Sequence, residues 1–302
     1  MDDDRPGPVR IGELSRRTGV SAPLLRAWER RYGLLRPRRT DGGFRVYGAA
    51  DERRVRGMRA RIDQGLSASL AAAAVLADEQ SGPGPVARGP DEIRAAMSDA
   101  LERFDERAAH AAIDRLLGTF SLEAALSGGV LPYLGSLGAR WESGAVSIAQ
   151  EHFATSIIRG RLLALARNWG DGHGPLALLA CPSGEQHDLG LICFGLGLRE
   201  RGWRILLLGP NTPVGTIEET AGRLAPDLTV IAAMQPGLLE AEREGIARMA
   251  ARHPVALAGP GAGADLARDT GARSLDQAPM AAAARVDATL RPATGRRAGP
   301  GA

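Results

Sequence analysis

The sequence predicts a multidomain chain: a winged helix-turn-helix, then a four-helix bundle, then an α/β domain with a doubly wound parallel sheet. Three observations predict it. Two short amphipathic stretches in residues 11–32 are separated by Gly19, and arginine crowds the second. Between Asp91 and Asn168 apolar residues recur at helical spacing with no β-branched strand signal. From Pro175 onward short apolar runs alternate with amphipathic helices, which implies parallel strands.

Composition supports a globular chain and narrows its chemistry. At 302 residues and 44% hydrophobic content it can build two or three small cores. No apolar run approaches the roughly 20 residues that span a bilayer. The acidic, polar start at Met1–Pro8 is unlike a secretory leader, so a cytoplasmic location with no membrane partner is expected. All 38 Lys+Arg positions are arginine, which removes Schiff-base and P-loop lysines. The net charge of +3 is unevenly placed: arginine crowds the first sixty-odd residues, and the remainder is nearly balanced. Such asymmetry points to a nucleic-acid-binding end. Cys181 and Cys193 lie in apolar surroundings without zinc or disulfide spacing and read as buried thiols.

At the basic end, Ile11–Thr18 reads as a helix, Gly19 as a tight turn, and Ser21 as the cap of a second helix running to Tyr32. The second helix of such a pair enters the major groove. It carries Arg26, Trp28, Arg30 and Arg31. Asp41-Gly42-Gly43 makes a hairpin turn before the strand-like Phe44–Tyr47, which gives an arginine-bearing wing. The runs Ile11–Val20, Leu25–Pro37 and Gly43–Tyr47 resemble the MerR family over residues 9–76. The resemblance implies binding to a double-stranded DNA operator. Arg16, Arg26, Trp28, Arg30, Arg31, Arg45 and Tyr47 are the candidate contacts. Ordinary members continue into a long dimerising helix around an effector site. Here a helix over about Ser67–Ala77 runs into a proline-glycine stretch instead, so self-association must arise elsewhere.

These readings divide the chain into a DNA-binding domain at 9–78, a linker at 79–90 and a bundle at 91–169. An α/β domain follows at 174–290, then a disordered tail at 291–302. The bundle helices are read at about 91–103, 106–118, 121–141 and 147–168, with Asp105 and Ser121 as N-caps. A break over Trp169–Pro175 precedes strands at Leu176–Ala180, Arg204–Leu208, Leu228–Ala232 and Val255–Ala258. Ligands of such sheets bind beyond the carboxyl ends of the strands. That gathers the loops Cys181–Gly190, Gly209–Pro213, Ala233–Gly237 and Gly259–Gly263.

The first of these loops contains Glu185-x-His187-x-x-Gly190. A loop imidazole here can ligate a metal in a bound cofactor, while the carboxylate tunes its other nitrogen. Taken alone, the pattern fits a solvated or hydrogen-bonded histidine equally well. Upstream, Trp141 precedes Glu151-His152 by nine intervening residues. That fits a lid over a flat cofactor, and also a buried bundle tryptophan beside a polar helix start. His110, His173 and His253 read as structural or surface residues.

Together and in this order, the two patterns resemble the cobalamin-binding half of light-responsive MerR-like repressors of the CarH/LitR type. The resemblance covers residues from about 9 to 285. It implies a four-helix cap over the upper face of the corrin and a Rossmann-like domain beneath it. It further implies cobalamin, in its adenosyl form, as the cofactor. His187 would be the lower cobalt ligand, with Glu185 and Gly190 in its motif; Trp141, Glu151 and His152 would face the upper ligand. It also implies a repressor, not an enzyme, that assembles into dimers or tetramers.

Three departures stand out. The family's Ser-x-Leu falls at Ala232-Ala233-Met234, and its Gly-Gly at Ala258-Gly259, with Gly259 retained for the cofactor pocket. Glu142 follows Trp141, where the photoreceptors carry a histidine that captures cobalt after light removes the upper ligand. Two other readings remain open: a regulator of this type without cobalamin, and a corrinoid-dependent methyl-transfer module. The amino-terminal helix-turn-helix argues against the second.

Overall fold

The computed structural model describes residues 9–40, 42–63, 65–81, 90–235 and 237–290. The chain forms two compact units, Met1–Gln150 and Glu151–Ala302.

The first unit opens with α1 (Ile11–Thr18) and α2 (Ala22–Tyr32), joined through Gly19 in the left-handed conformation. Ser21 takes the N-cap position of α2 but makes no side-chain cap, and Pro23 in the first turn pre-sets the helix instead. Strands β1 (Arg38–Arg39) and β2 (Arg45–Val46) pair antiparallel as the wing. Asp41, expected in its turn, lies outside the described residues. Val9 bridges to Tyr47, which ties the chain start to the wing. Helix α3 (Ala49–Asp63) carries the buried Asp51. Its carboxylate accepts the Arg36 and Gly48 N–H groups at 2.8 and 3.0 Å and pairs with Arg54 at 2.9 Å. One acid thus pins both ends of the wing to the helix. Helix α4 (Ala68–Ser81) packs on α3 and runs past the expected end near Ala77. The proline-glycine run at 82–89 and the tail from 291 lie outside the described residues.

The bundle helices of this unit are α5 (Pro90–Glu102), α6 (Glu106–Thr119), α7 (Leu122–Ala125) and α8 (Leu131–Glu142). Asp105 caps α6 through the Ala108 N–H, and Ser121 caps α7 through the Ala124 N–H, as their spacing predicts. The single helix expected at 121–141 is interrupted by a π-helical turn over Leu126–Val130. Pro132 explains it: proline lacks the N–H that would reach the Gly128 carbonyl, and the Arg94 guanidinium supplies a donor there at 3.0 Å. Gly129 lies so close to Leu116 that a Cβ would fall 2.4 Å from its methyl.

A second bridge links the amino-terminal helix-turn-helix part to the bundle without passing through the proline-glycine run. Leu66 pairs antiparallel with Phe120. The Ser121 N–H donates to the Gly65 carbonyl at 2.6 Å, and the Ser67 N–H to the Thr119 carbonyl at 3.0 Å. Leu66 and Phe120 are both buried, so a small apolar contact excludes water from these bonds. Gly65 has a φ of 93°, and a Cβ there would meet that of Ala124 at 2.4 Å; only glycine fits both demands.

Helix α9 (Ile148–Leu165) leads into the second unit. There follow β3 (Leu176–Ala180), α10 (Leu189–Glu200), β4 (Arg204–Gly209), α11 (Val214–Leu224) and β5 (Leu228–Ala232). After them come α12 (Leu238–Ala241), α13 (Arg243–Ala250), β6 (Val255–Ala258), α14 (Ala264–Thr270), β7 (Arg273–Leu275) and α15 (Pro279–Leu290). The five strands are parallel in the order β4-β3-β5-β6-β7. β7 escapes sequence reading because three residues with one buried side chain carry no period. On one face Leu178, Ile231 and Leu257 pack under α11, α13 and α14. On the other, α10 and α15 lie in close contact. Gly197 permits this, since a Cβ there would sit 2.9 Å from Ala283. Trp169, expected to open a break, is instead buried: its ring rests on Gly195 and its carbonyl accepts the Ile205 N–H at 2.8 Å.

Candidate functional site

In the order β4-β3-β5 the chain departs to opposite sides from β3 and β5, so the crevice of the sheet lies at their carboxyl ends. The β3–α10 loop there contains Glu185 and His187. Glu185 is 0% exposed, and its carboxylate is fully engaged. One oxygen accepts the His187 N–H at 2.8 Å and lies 2.6 Å from His187 Nδ1. The other accepts the Met234 and Gln235 N–H groups, at 2.7 and 3.1 Å. Burial alone would push this carboxyl up. The donated hydrogen bonds, from the His187 and Gln235 backbone first, outweigh that and hold it below its usual value.

An ionised carboxylate only accepts, so Nδ1 carries a proton toward it, and in the neutral ring this leaves the lone pair on Nε2. Nε2 has no partner among the described residues, and the side chain is 56% exposed. The arrangement therefore presents one oriented, basic nitrogen at the crevice.

The four loops expected around this point are cross-linked. Asn211, with a φ of 53°, accepts the Gly184 N–H at 2.9 Å and donates its own N–H to the Glu185 carbonyl at 2.9 Å. The Gly261 N–H donates to Ala233 at 2.9 Å. Gly259, φ 85°, lies where a Cβ would be 2.4 Å from the Ala233 carbonyl. Its glycine is thus demanded first by the protein's own backbone. Gly190 differs: a Cβ there would find only Pro279, at 3.9 Å. Internal packing does not require that glycine, and the space beside it stays available to something else.

Sequence reasoning missed three contributors. Asp188, 2% exposed on its side chain, accepts three hydrogen bonds from Arg159 of α9, the shortest being 2.8 Å. Asp188 follows His187 directly, and only its distant partner hides the role. Asn211 carried a weak signal, since Asn in a Gly-Pro-Asn-Thr-Pro run tolerates positive φ. Met234 contributes its N–H, which no side-chain pattern reveals. Cys181 and Cys193 are buried free thiols, both pushed up to about 12 by burial. Among the described residues no group of three or more His, Cys, Asp or Glu could hold a metal ion.

The other expected residues are placed as follows. Trp141, at the end of α8, is 49% exposed. Glu151 and His152 stand in the second unit, with His152 Nε2 3.4 Å from Glu151 Oε2 and its side chain open to solvent.

At the basic end, Arg26, Arg30 and Arg31 are exposed along α2 and have no acidic partner among the described residues. Arg16 is exposed and pairs with Glu13. Arg45 on the wing is half exposed, 3.6 Å from Glu29. Trp28 and Tyr47 correct the expectation that they face DNA. Trp28 shares the buried face of α2 with Leu25, three residues earlier. Tyr47 is buried and donates its hydroxyl to Glu29 at 2.8 Å; burial first, then Glu29, pushes that phenol up to about 12. Both shape the surface from beneath.

Residues 9–77 match the MerR HTH family regulatory protein model, and residues 93–166 match a B12 binding domain model. The chain is 33% identical over 262 residues to the HTH-type transcriptional repressor CarA of Myxococcus xanthus, covering 84% of this chain and 87% of that protein. It is 34% identical over 227 residues to the HTH-type transcriptional repressor CarH of the same organism, covering 72% and 76%. Among solved structures, the monomethylamine corrinoid protein of Methanosarcina barkeri aligns with a TM-score of 0.55 and 16% identity. The alignment spans 66% of this chain and 98% of that one, a likeness of fold.

Proposed function

The chain belongs to the MerR-type DNA-binding regulators that carry a cobalamin-binding domain, and from that premise we propose that it is a repressor whose assembly on its operator depends on bound cobalamin. One observation carries the cofactor assignment: His187 offers an unshared Nε2 lone pair, locked in direction by a buried carboxylate, at the crevice of the sheet. Imidazole is a good donor to cobalt. A lone imidazole suits a metal that arrives with its other ligands already supplied, as a corrin supplies them. A Cβ at Gly190 would meet nothing closer than Pro279 at 3.9 Å, and that position is assigned to the cofactor's displaced tail.

In this reading His187 would hold the cobalt through Nε2, Glu185 would fix its tautomer, and Gly190 and Gly259 would lie beside the cofactor's tail. Trp141, Glu151 and His152 are assigned to the upper face. When bound, cobalamin supplies a cobalt centre whose upper ligand distinguishes one state of the regulator from another; the adenosyl form is the expected one. The regulator reading is favoured over an enzyme module because the relatives that cover most of the chain are transcriptional repressors.

Light is a separate question from binding. Glu142 offers carboxylate oxygen where the photoreceptors carry imidazole, so illumination of the adenosylcobalamin-loaded protein should give no spectrum of two axial imidazoles. Such a spectrum in the wild type would overturn this assignment, and Glu142→His should create it.

The test of the main proposal is a visible spectrum of the purified protein after incubation with excess cobalamin and gel filtration. Operator binding and elution volume are then measured with and without the cofactor. Cobalamin that elutes entirely separate from the protein rejects the sensor assignment. Bound cobalamin with unchanged assembly and DNA affinity rejects the regulatory one.

A further inference from the structure

A recess of about 240 Å³ lies between the wing and α2, lined by Arg10, Ile11, Arg26, Phe44, Arg45 and Tyr47. Its three guanidinium groups come from three elements: the residue before α1, the recognition helix, and β2. The Val9–Tyr47 bridge pins the backbone next to Arg10 against the wing, so the three sites are held together by main chain. One carboxylate answers them. Glu29 lies 3.6 Å from Arg45 and is already accepting the Tyr47 hydroxyl. Arg10 and Arg26 have no acidic partner among the described residues.

Arg10 is not free to wander. Its guanidinium carbon stands 4.6 Å from the centre of the Phe44 ring. Phe44 is 58% exposed, so its ring face is open at the surface for the guanidinium that covers it. Stacking orients a guanidinium without neutralising it and leaves its in-plane N–H donors available. Three cations and one shared anion around a small recess make a strong local field for a tetrahedral oxyanion.

We propose that Arg10, Arg26 and Arg45 form a clasp for one backbone phosphate of duplex DNA, with Phe44 positioning Arg10. The inference rests on the reading of this unit as a DNA-binding domain and adds Arg10 and Phe44 to it. A phosphodiester is favoured over a free anion because the recess opens between the two elements that engage the duplex together, the helix and the wing.

The experiment measures binding of full-length protein to a random-sequence duplex across salt concentrations, because the phosphate contribution is independent of sequence. Arg10→Ala should weaken binding roughly fivefold to tenfold at 0.1 M salt and lower the log–log salt slope by about 0.9. Arg10→Lys should keep most of the slope. Phe44→Ala removes no charge, yet should lower affinity, and combined with Arg10→Ala it should add little. Inorganic phosphate should compete with the duplex no better than chloride at matched ionic strength. A wild-type slope in Arg10→Ala overturns the clasp. Full additivity of the two variants overturns the positioning role of Phe44. Inorganic phosphate that binds wild type but not Arg10→Ala while leaving duplex affinity unchanged overturns DNA as the occupant. A wild-type protein that binds no duplex overturns the underlying reading, and the clasp with it.

Discussion

His187 and Glu185 stand in a fixed relation: ring Nδ1 lies 2.6 Å from a carboxylate oxygen that also accepts the histidine's own backbone N–H. The acid therefore sets both the rotation of the ring and the position of its peptide. Its second oxygen anchors the β5 loop. Loss of the imidazole and loss of its orientation should accordingly have different consequences. His187→Ala should abolish the histidine-ligated cobalamin spectrum. Glu185→Gln should retain that spectrum while weakening cobalamin affinity by about tenfold to a hundredfold, the usual range for partners of a metal-ligating histidine. Equal affinity in wild type and Glu185→Gln, by equilibrium dialysis, would remove the orienting role.

The same acid makes stability depend on pH in a definite direction. Its carboxyl is held below the ordinary 4.5 in the folded protein, so the unfolded chain binds that proton more readily. Its stabilisation is fully present above 4.5 and is lost as pH falls below that value through the folded one. Urea unfolding followed through this acid range should show a steeper decline in wild type than in Glu185→Gln. Parallel declines would mean that other groups dominate.

In the DNA-binding part, surface and core substitutions should separate cleanly. Trp28→Ala empties a buried site and should cost about 3–5 kcal/mol, lowering the melting temperature along with DNA binding. Arg26→Ala should leave the melting temperature unchanged and weaken binding alone. An undisturbed melt in Trp28→Ala would contradict its burial.

Gly65→Ala should strain the link between Leu66 and Phe120. A positive φ with a β-carbon costs about 1–3 kcal/mol, and the collision with Ala124 adds to it. Pairing the change with Ala124→Gly relieves the collision but not the φ strain, so thermal melts should show partial recovery. No recovery would place the whole cost in the backbone.

Residue patterns showed the large elements because burial repeats along them. Periodicity located α1, α2, α5, α6 and four of the five strands of the α/β sheet, and Asp105 and Ser121 announced their helices. Elements set by contacts distant in sequence stayed hidden. The π-turn depends on Pro132 meeting Arg94 across the bundle. The place of Trp169 depends on a glycine in α10, and β7 is too short to carry a period. The site divides in the same way. Glu185 and His187 could be read as a local motif, whereas Asp188 needs Arg159, twenty-nine residues earlier, before its role appears. Trp28, an aromatic among arginines, resembles a contact residue in the sequence, while its spacing from Leu25 marks the inward face.

The bridge from Leu66 to Phe120 also bears on the operator. A DNA reader on a loose tether tolerates many half-site separations, because the tether absorbs the difference. A reader fastened to its bundle through paired main chain has little such slack. When copies associate, the distance between their recognition helices would follow from how the bundles meet. Half-site spacing in base pairs would then be a ruler for the assembled protein, and inserting half a helical turn of DNA, about five base pairs, should be poorly tolerated.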